Sequence, residues 1–424
     1  MMRKRISELK TFHWRLWLAL CALALIPAVY QTVKTFLIAS GGQAGVFDII
    51  GQMEWFDLIN ETLQAFLIIP LYSVLNRIFK HHKDDFAGAT FKTGFCTFLL
   101  YTLFSVGVLI YGTVLLNAMN PDGIDPVVTA TYLRLETVAF MTGILVSFAN
   151  VVFVVIGKDK NVYIFLGIRT VLSLMADFLL IPIFGVYGVA VCLLLLFRQG
   201  YIRFRWFGKS DSAMFRAWCK AGAFSGLQQF VDNFVYAVMV CKMVNMVAGQ
   251  GNYWIANNFI WGWLLIPISA LAEVIRSDCK EGYNQLRQFR YYFLAVASVV
   301  LWAATIPAWT PFFRYAQNLQ NADEIFSIVI KLAPFYIAYA GSTIIDNIFI
   351  GLGKTVYNAV NSLIINLGYY GIFYMLYRVN AITFDMNTII LMFGFGMVVH
   401  YAVSLLQEKV VFRRRERKRE ESGA

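Results

Sequence analysis

The chain has 424 residues, of which 59% are hydrophobic and only 14% charged. Soluble domains are about a quarter charged, so a water-soluble fold of this length would lack the polar surface to cover itself, a requirement that a bilayer removes. The net charge of +11 sits in short clusters between apolar runs, which argues against nucleic-acid binding. No hydrolase triad, phosphate loop or HExxH set is present in the sequence.

Inside lipid the backbone has no water to bond to, so spanning segments are helices or closed barrels. The apolar runs here are far longer than the roughly ten-residue alternating strands of a barrel. The expected fold class is therefore an all-α integral membrane protein of about twelve transmembrane helices.

The first run, 16–40, follows Arg3, Lys4, Arg5 and Arg15 and reads as a retained helix rather than a cleaved signal. It carries Lys34. The second, 50–77, carries Glu54, Asp57, Glu61 and Gln64 at i, i+3, i+7 and i+10, one helical stripe. Lys34, Asp57 and Glu61 fall at similar depth, roughly 10–15 Å inside. Lys34 is expected to pair with Asp57 or Glu61, either as a static buried salt bridge or as a switch that exchanges partners.

Spans at 89–117 and 127–156 follow, with Arg134 and Glu136 as a local pair near the start of the fourth. The fifth and sixth, 162–184 and 186–206, are divided only by "PIFGVYG". Ser173 and Asp177 in the fifth share a helix face, and Arg169 there pairs or snorkels, as does Lys242 in the seventh. The seventh, 216–248, is unusually polar with Gln228, Gln229, Asp232 and Asn233. These serve either helix–helix hydrogen bonding or an ion site. In the eighth, 252–276, Glu273 and Arg276 lie near the cytoplasmic end and read as gate or surface residues. The ninth is 289–311. Asp346, in the tenth span (325–352), is a cavity candidate, because an intramembrane charge is costly unless paired or hydrated. The eleventh is 354–378. His400, in the twelfth (386–408), reads as a packing residue, with a proton relay as the alternative. Tyr30, Trp254, Trp261, Tyr336 and Tyr339 are aromatic faces that could hold a cationic amphiphile. The cysteines are scattered with no CxxC pair, which gives neither a disulfide framework nor a metal site.

Charge in the loops sets the orientation. Lys80, Lys83, Lys158, Lys160, Arg203, Arg205, Lys209, Lys280, Arg287, Arg290 and both basic termini fall on one side. The segments "SGGQAGVFD", "NAMNPDGIDP", "IFGVYG" and "AGQGN" on the other side carry no Lys or Arg. Only Arg314 and Arg378 oppose the trend. The positive-inside rule places both termini in the cytoplasm of a multi-pass inner-membrane protein. The tail 413–424 then reads as a basic cytoplasmic anchor.

The halves repeat. Gln31, Val33, Phe36 and Ala39 recur as Gln229, Val231, Phe234 and Ala237 at an offset of 198 residues. Pro70 recurs as Pro267, and Phe153, Gly157 and Lys158 recur as Phe349, Gly353 and Lys354, at offsets of 197 and 196. Asn150 then stands opposite Asp346. The repeat predicts two pseudo-symmetric six-helix lobes around a central cavity, an N-lobe over 1–210 and a C-lobe over 211–412. They would be related by an axis along the membrane normal, as in a monomeric carrier.

The stretch "VVFVVIGKDKNVYIFLGIRTVLSLMADFLLIPIFGVYGVAV" resembles the fourth-to-sixth-helix region of the multidrug and toxic compound extrusion (MATE) transporters. "SGLQQFVDNF…AGQGNYWIANNFIWGWLLIPISALAE" is similar to their seventh and eighth helices, and "IFIGLGKT" to the turn after the tenth. The resemblance covers most of the chain. It implies export of small amphipathic, often cationic compounds in exchange for H⁺ or Na⁺, with no cofactor or enzymatic step. The partners are then the lipid bilayer and a small-molecule substrate. The wider superfamily includes flippases for lipid-linked saccharides, which is the alternative function. By the same resemblance Asp177 matches a fifth-helix Asp used for cation coupling, although Ser173 stands where the family has Asn. Asp232 matches the acidic position of the seventh helix. Lys34 departs from the family, since it occupies the place of the first-helix Asp that binds the coupling cation. A fixed ammonium there would repel cations and points to an anionic or zwitterionic substrate, or to Lys34 substituting for the cation.

Overall fold

The computed structural model describes residues 12–41, 45–81, 83–119, 125–156, 203, 212–235, 237, 241–247, 249–279, 285–352 and 354–421. The helices are α1 (Trp14–Ser40), α2 (Val46–Gln52), α3 (Glu54–Leu67), α4 (Ile69–His81), α5 (Lys83–Ala118), α6 (Pro126–Val155) and α7 (Ser212–Val235). They continue as α8 (Gln250–Phe259), α9 (Ile266–Cys279), α10 (Gln285–Pro311), α11 (Ala322–Gly351), α12 (Val356–Leu363), α13 (Gly371–Arg378) and α14 (Met386–Glu421). Among the described residues eight helices are long and apolar enough to cross a membrane, or nine if one bent pair is a single span. The expected spans coincide with these helices, except that the fifth and sixth lie outside the described residues and the seventh, α7, is too polar to qualify on its own.

The helix starts follow local chemistry. Asp125 precedes Pro126, and its Oδ1 accepts the Val127 N–H at 2.8 Å, an N-cap with proline at the first helical position. Asp385 caps α14 in the same way, accepting the Thr388 N–H at 2.7 Å. In "AGQGN", Gly249 takes φ +84°, the left-handed region glycine enters freely. The Asp48 carboxylate then receives the Gly251 N–H at 2.6 Å at the head of α8.

The chain divides into two compact units: residues Met1–Gly51 with Val247–Ala424, and residues Gln52–Met246. The lobes expected from the repeat are a separate division of the chain. The first unit holds α1, α2 and α8–α14. Its core is aromatic-rich, with Phe259, Trp302, Trp309, Phe313 and Tyr336 buried among Leu264, Leu332 and Ile344. The eighth span is broken there: α8 runs through a π-helical turn, Ile260–Leu264, and α9 leaves it at 53°. Pro267 lacks an N–H and so cannot continue the ladder. The carbonyls at the break are taken by side chains, Leu264 O by the Trp302 indole at 2.6 Å and Pro267 O by the Trp17 indole at 3.0 Å. In the last turn of α9, Asp278 forms an ion pair with Arg290 of α10, their side chains 3% and 4% exposed. Tyr291 donates to Asp278 at 2.9 Å, His13 approaches it at 3.2 Å, and the Arg290 guanidinium lies over the Phe12 ring. Arg290 is thus a packed residue rather than a free loop charge. Arg314, which opposed the charge rule, is matched by Asp323 at 2.9 Å.

The second unit holds α3–α7, with Leu71, Leu75, Tyr101, Phe148, Val151 and Trp218 in its core. α7 lies close against α3 because Gly222 and Gly226 present no side chain there. A Cβ at Gly222 would stand 2.5 Å from the Phe66 carbonyl oxygen, and one at Gly226 2.2 Å from the Phe66 ring. Glycines four apart are the sequence device for such close approach between membrane helices. The Trp218 indole fixes the contact by donating to Leu67 O at 3.0 Å.

Candidate functional site

In the second unit, the acidic stripe of α3 stands as expected on one helix, with Glu54 and Glu61 exposed and Asp57 half-buried. Asn60, on another face, is buried and accepts the Tyr101 hydroxyl. Asn233 from α7 donates to Leu58 O at 2.9 Å and to Thr62 Oγ1 at 3.2 Å, and accepts from Gln229 at 2.9 Å. Asn233 thus makes the helix–helix hydrogen bonds that one of the two readings of this polar segment expects. Its amide also neighbours the Glu61 carboxylate. The side chain of Asp232, and both Ser173 and Asp177, lie outside the described residues. Glu136 takes the Tyr132 hydroxyl at 3.1 Å.

Lys34 is half-buried on α1, in the first unit, and forms no ion pair there among the described residues. Asp57 and Glu61 belong to the second unit, and their pairing with Lys34 stays an expectation.

The first unit assembles a polar site around Asp346. This residue sits on α11, with its side chain 18% exposed. Its Oδ2 faces His400 Nε2 at 2.9 Å, and its Oδ1 accepts Ser404 Oγ at 2.9 Å. His400 and Ser404 are four apart on α14, so one helix face supplies both donors. Asn361, fully buried on α12, donates to Ser404 Oγ at 2.8 Å, and Asn358 donates to the Asp346 main-chain oxygen at 3.0 Å. Ser, His and Asp thus meet without forming a nucleophile: the hydroxyl donates to the carboxylate, not to the imidazole that would have to activate it. The arrangement is a carboxylate held by a hydroxyl and an imidazole from one helix face.

The sequence identifies Asp346 as a candidate and reads His400 as packing with a proton relay as the alternative, while Ser404, Asn358 and Asn361 are not among its candidates. The signal that could have found them is the i, i+4 spacing of His400 and Ser404, polar positions in an otherwise apolar run.

Asp346 also continues a face upward. Tyr339, Thr343 and Asp346 are spaced i, i+4 and i+7 on α11, and Tyr339 feels the charges of both Asp346 and Arg276. Tyr339 meets Trp261 edge-on at 5.1 Å between ring centroids, and Tyr336 meets Trp261 at 6.2 Å and Tyr339 at 5.8 Å. Tyr336 is locked by donating to Asn257 Oδ1 at 2.9 Å. Trp261 belongs to the π-helical turn and is 43% exposed, and the space beside Gly262 is open. Of the five aromatic candidates the structure brings these three together. Trp254 lies against Phe47 instead. Arg276, read as a gate or surface residue, pairs with Glu273 at 2.7 Å and bonds Asn347.

No family model and no curated protein matches the sequence. Solved structures do. An inward-facing multidrug resistance MATE family transporter of the MOP superfamily superposes with a TM-score of 0.68 at 16% identity, covering 92% of this chain and 95% of that one. The Vibrio cholerae MATE transporter VcmN in its bent form gives 0.63 at 13% identity, over 97% and 98%. The lipid II flippase MurJ, in an inward closed conformation, gives 0.67 at 13% identity, over 92% and 87%. The chain has the all-α membrane fold of the MATE transporters of the MOP superfamily, which MurJ shares.

Proposed function

We propose that the protein is a secondary active transporter of the inner membrane, a monomer with both termini cytoplasmic, that exports small amphipathic cations in exchange for H⁺ or Na⁺. The observation that carries this reading is the Trp261–Tyr336–Tyr339 cluster, whose Tyr339 shares a face of α11 with Asp346. Aromatic faces attract organic cations through the ring quadrupole, and a carboxylate beside them neutralises the charge. The likeness to multidrug MATE structures supports it.

Gradient-driven export of a fluorescent organic cation from proteoliposomes tests the proposal. Under an imposed proton or sodium gradient the parent should pump, and Asp346→Asn should not. Trp261→Ala should weaken the cation by roughly 0.5–2 kcal/mol, or about 2- to 30-fold. Asp177→Asn in the N-lobe and Asp232→Asn in the C-lobe, compared alongside, would show whether these acids also couple.

One observation favours a second reading, a flippase for a lipid-linked saccharide or other anionic amphiphile. Lys34 is a half-buried intramembrane ammonium without an acid partner among the described residues of its own unit, and such a charge can meet a phosphate. Folded protein that moves no cation under any gradient, yet moves an anionic lipid and loses that activity in Lys34→Ala, would replace the first proposal with this one.

A further inference from the structure

We infer that Asn257 is a positioning residue of the aromatic cluster, and that the corner it holds selects rounded onium head groups, such as quaternary ammonium, over flat cations. The inference rests on the proposal that the cargo is an amphipathic cation, and it concerns the shape of cation preferred.

The three rings are not equivalent. Trp261 is 43% exposed and Tyr339 half-buried, so each keeps surface that a ligand can meet, whereas Tyr336 is 2% exposed and offers none. Tyr336 is therefore a strut rather than a wall. Its hydroxyl donates to Asn257 Oδ1 at 2.9 Å, and its oxygen accepts the Trp261 indole N–H. A phenol hydroxyl can donate once and still accept. The bonds thus run from Trp261 through Tyr336 to Asn257. Asn257 and Trp261 are four apart where α8 passes into the π-helical turn, and Tyr336 is on α11, so the chain of bonds leaves the eighth span, crosses to the tenth and returns. By taking the phenol hydrogen, the Asn257 amide turns the oxygen's remaining acceptor side to the indole. Tyr339 is steadied separately by the Thr343 hydroxyl, one turn along α11.

The two accessible rings, Trp261 and Tyr339, are inclined at 67° with their centroids 5.1 Å apart. A point about 5 Å from both centroids therefore exists, inside the roughly 6 Å reach of a cation over a ring face. A quaternary ammonium spreads its charge over alkyl groups in every direction, so both rings attract it at once. A flat cation stacks on one ring only. The second ring, inclined to the first, meets its edge and stands away from the centre of its charge. Gly262, next in the chain, puts no side chain beside the indole, and the space there is open. A corner fixed in advance also spares the ligand the cost of ordering two aromatic side chains on binding.

Equilibrium binding of two monovalent probes to the full chain in nanodiscs is the test. Benzyltrimethylammonium has a rounded head group and N-methylacridinium is flat. Asn257→Leu and Tyr336→Phe break the same bond from its two ends. Each should weaken benzyltrimethylammonium by about 2- to 30-fold, the range of one ring's contribution, and N-methylacridinium by a smaller factor, so that the ratio of the two affinities falls. The double variant should be no worse than the more damaging single one, since both changes remove one link. A merely structural role would weaken both probes alike. A ratio that stays at the parent's value, or single losses that add in the double variant, overturns the inference and leaves the cation-export reading in place. If neither probe binds the folded parent, that reading has failed and the inference falls with it. Tyr336→Phe removes a single oxygen atom, so the ratio can be read even if Asn257→Leu does not fold.

Discussion

Asp278 and Arg290 are almost wholly buried, and each neutralises the other. Removing one partner of such a pair leaves a buried charge with no compensation, at a cost of about 3–5 kcal/mol. Asp278→Ala should therefore sharply lower the thermal midpoint or the folded yield in detergent. His13 also touches Asp278, but its side chain is 62% exposed. His13→Ala should cost less than about 1 kcal/mol, the scale of exposed ion pairs. Equal losses in the two variants would mean that the cluster is not organised around the Asp278–Arg290 bond. Sequence reading treated Arg290 as one loop charge among many, because a basic residue near a span end looks the same whether it faces water or folds back under a phenylalanine. Asp346 was legible for the opposite reason: an acid in a long apolar run has few cheap explanations. Its partner, 54 residues away, was not legible. Which way α14 turns against α11 is decided by packing, and no spacing within either helix reports it.

The contact of α7 with α3 shows what two small residues do for a pair of helices. The atom a new side chain would meet differs between them. At Gly222 it is the Phe66 carbonyl oxygen, fixed in the helix, and at Gly226 it is the Phe66 ring, which can turn aside. Overpacking of this kind costs typically about 1–3 kcal/mol. Gly222→Ala should be the more damaging change, and Phe66→Ala should rescue Gly226→Ala but not Gly222→Ala. Thermal midpoints of the single and double variants would show this, and an equal rescue of both would contradict the geometry. The long apolar helices were readable in the sequence, since apolar length is a local property, whereas the caps at Asp125 and Asp385 come from the structure. The π-helical turns were not readable either. A one-residue slip in the hydrogen-bond ladder is a response to tertiary packing and leaves no mark in composition.

At the scale of the whole chain, the span pattern indicated an all-α membrane protein, and the likeness to MATE structures over more than nine-tenths of the chain bears out that fold, while the two lobes and the carrier role stay expectations of the repeat. The orientation rests on charge alone. Single cysteines placed near each terminus, in a background without the native ones, should be labelled by a membrane-impermeant maleimide only from the cytoplasmic face. Labelling of either terminus from outside would reverse the topology and with it the assignment of the basic loops. What the sequence left unstated is which side chains close the break in the eighth span. The Leu264 and Pro267 carbonyls there are held by the indoles of Trp302 and Trp17. An indole N–H donates but accepts nothing. Two donor-only groups therefore tie off both carbonyls without offering an acceptor in turn, so the bend is held by side chains that cannot extend a hydrogen-bonded chain through the joint.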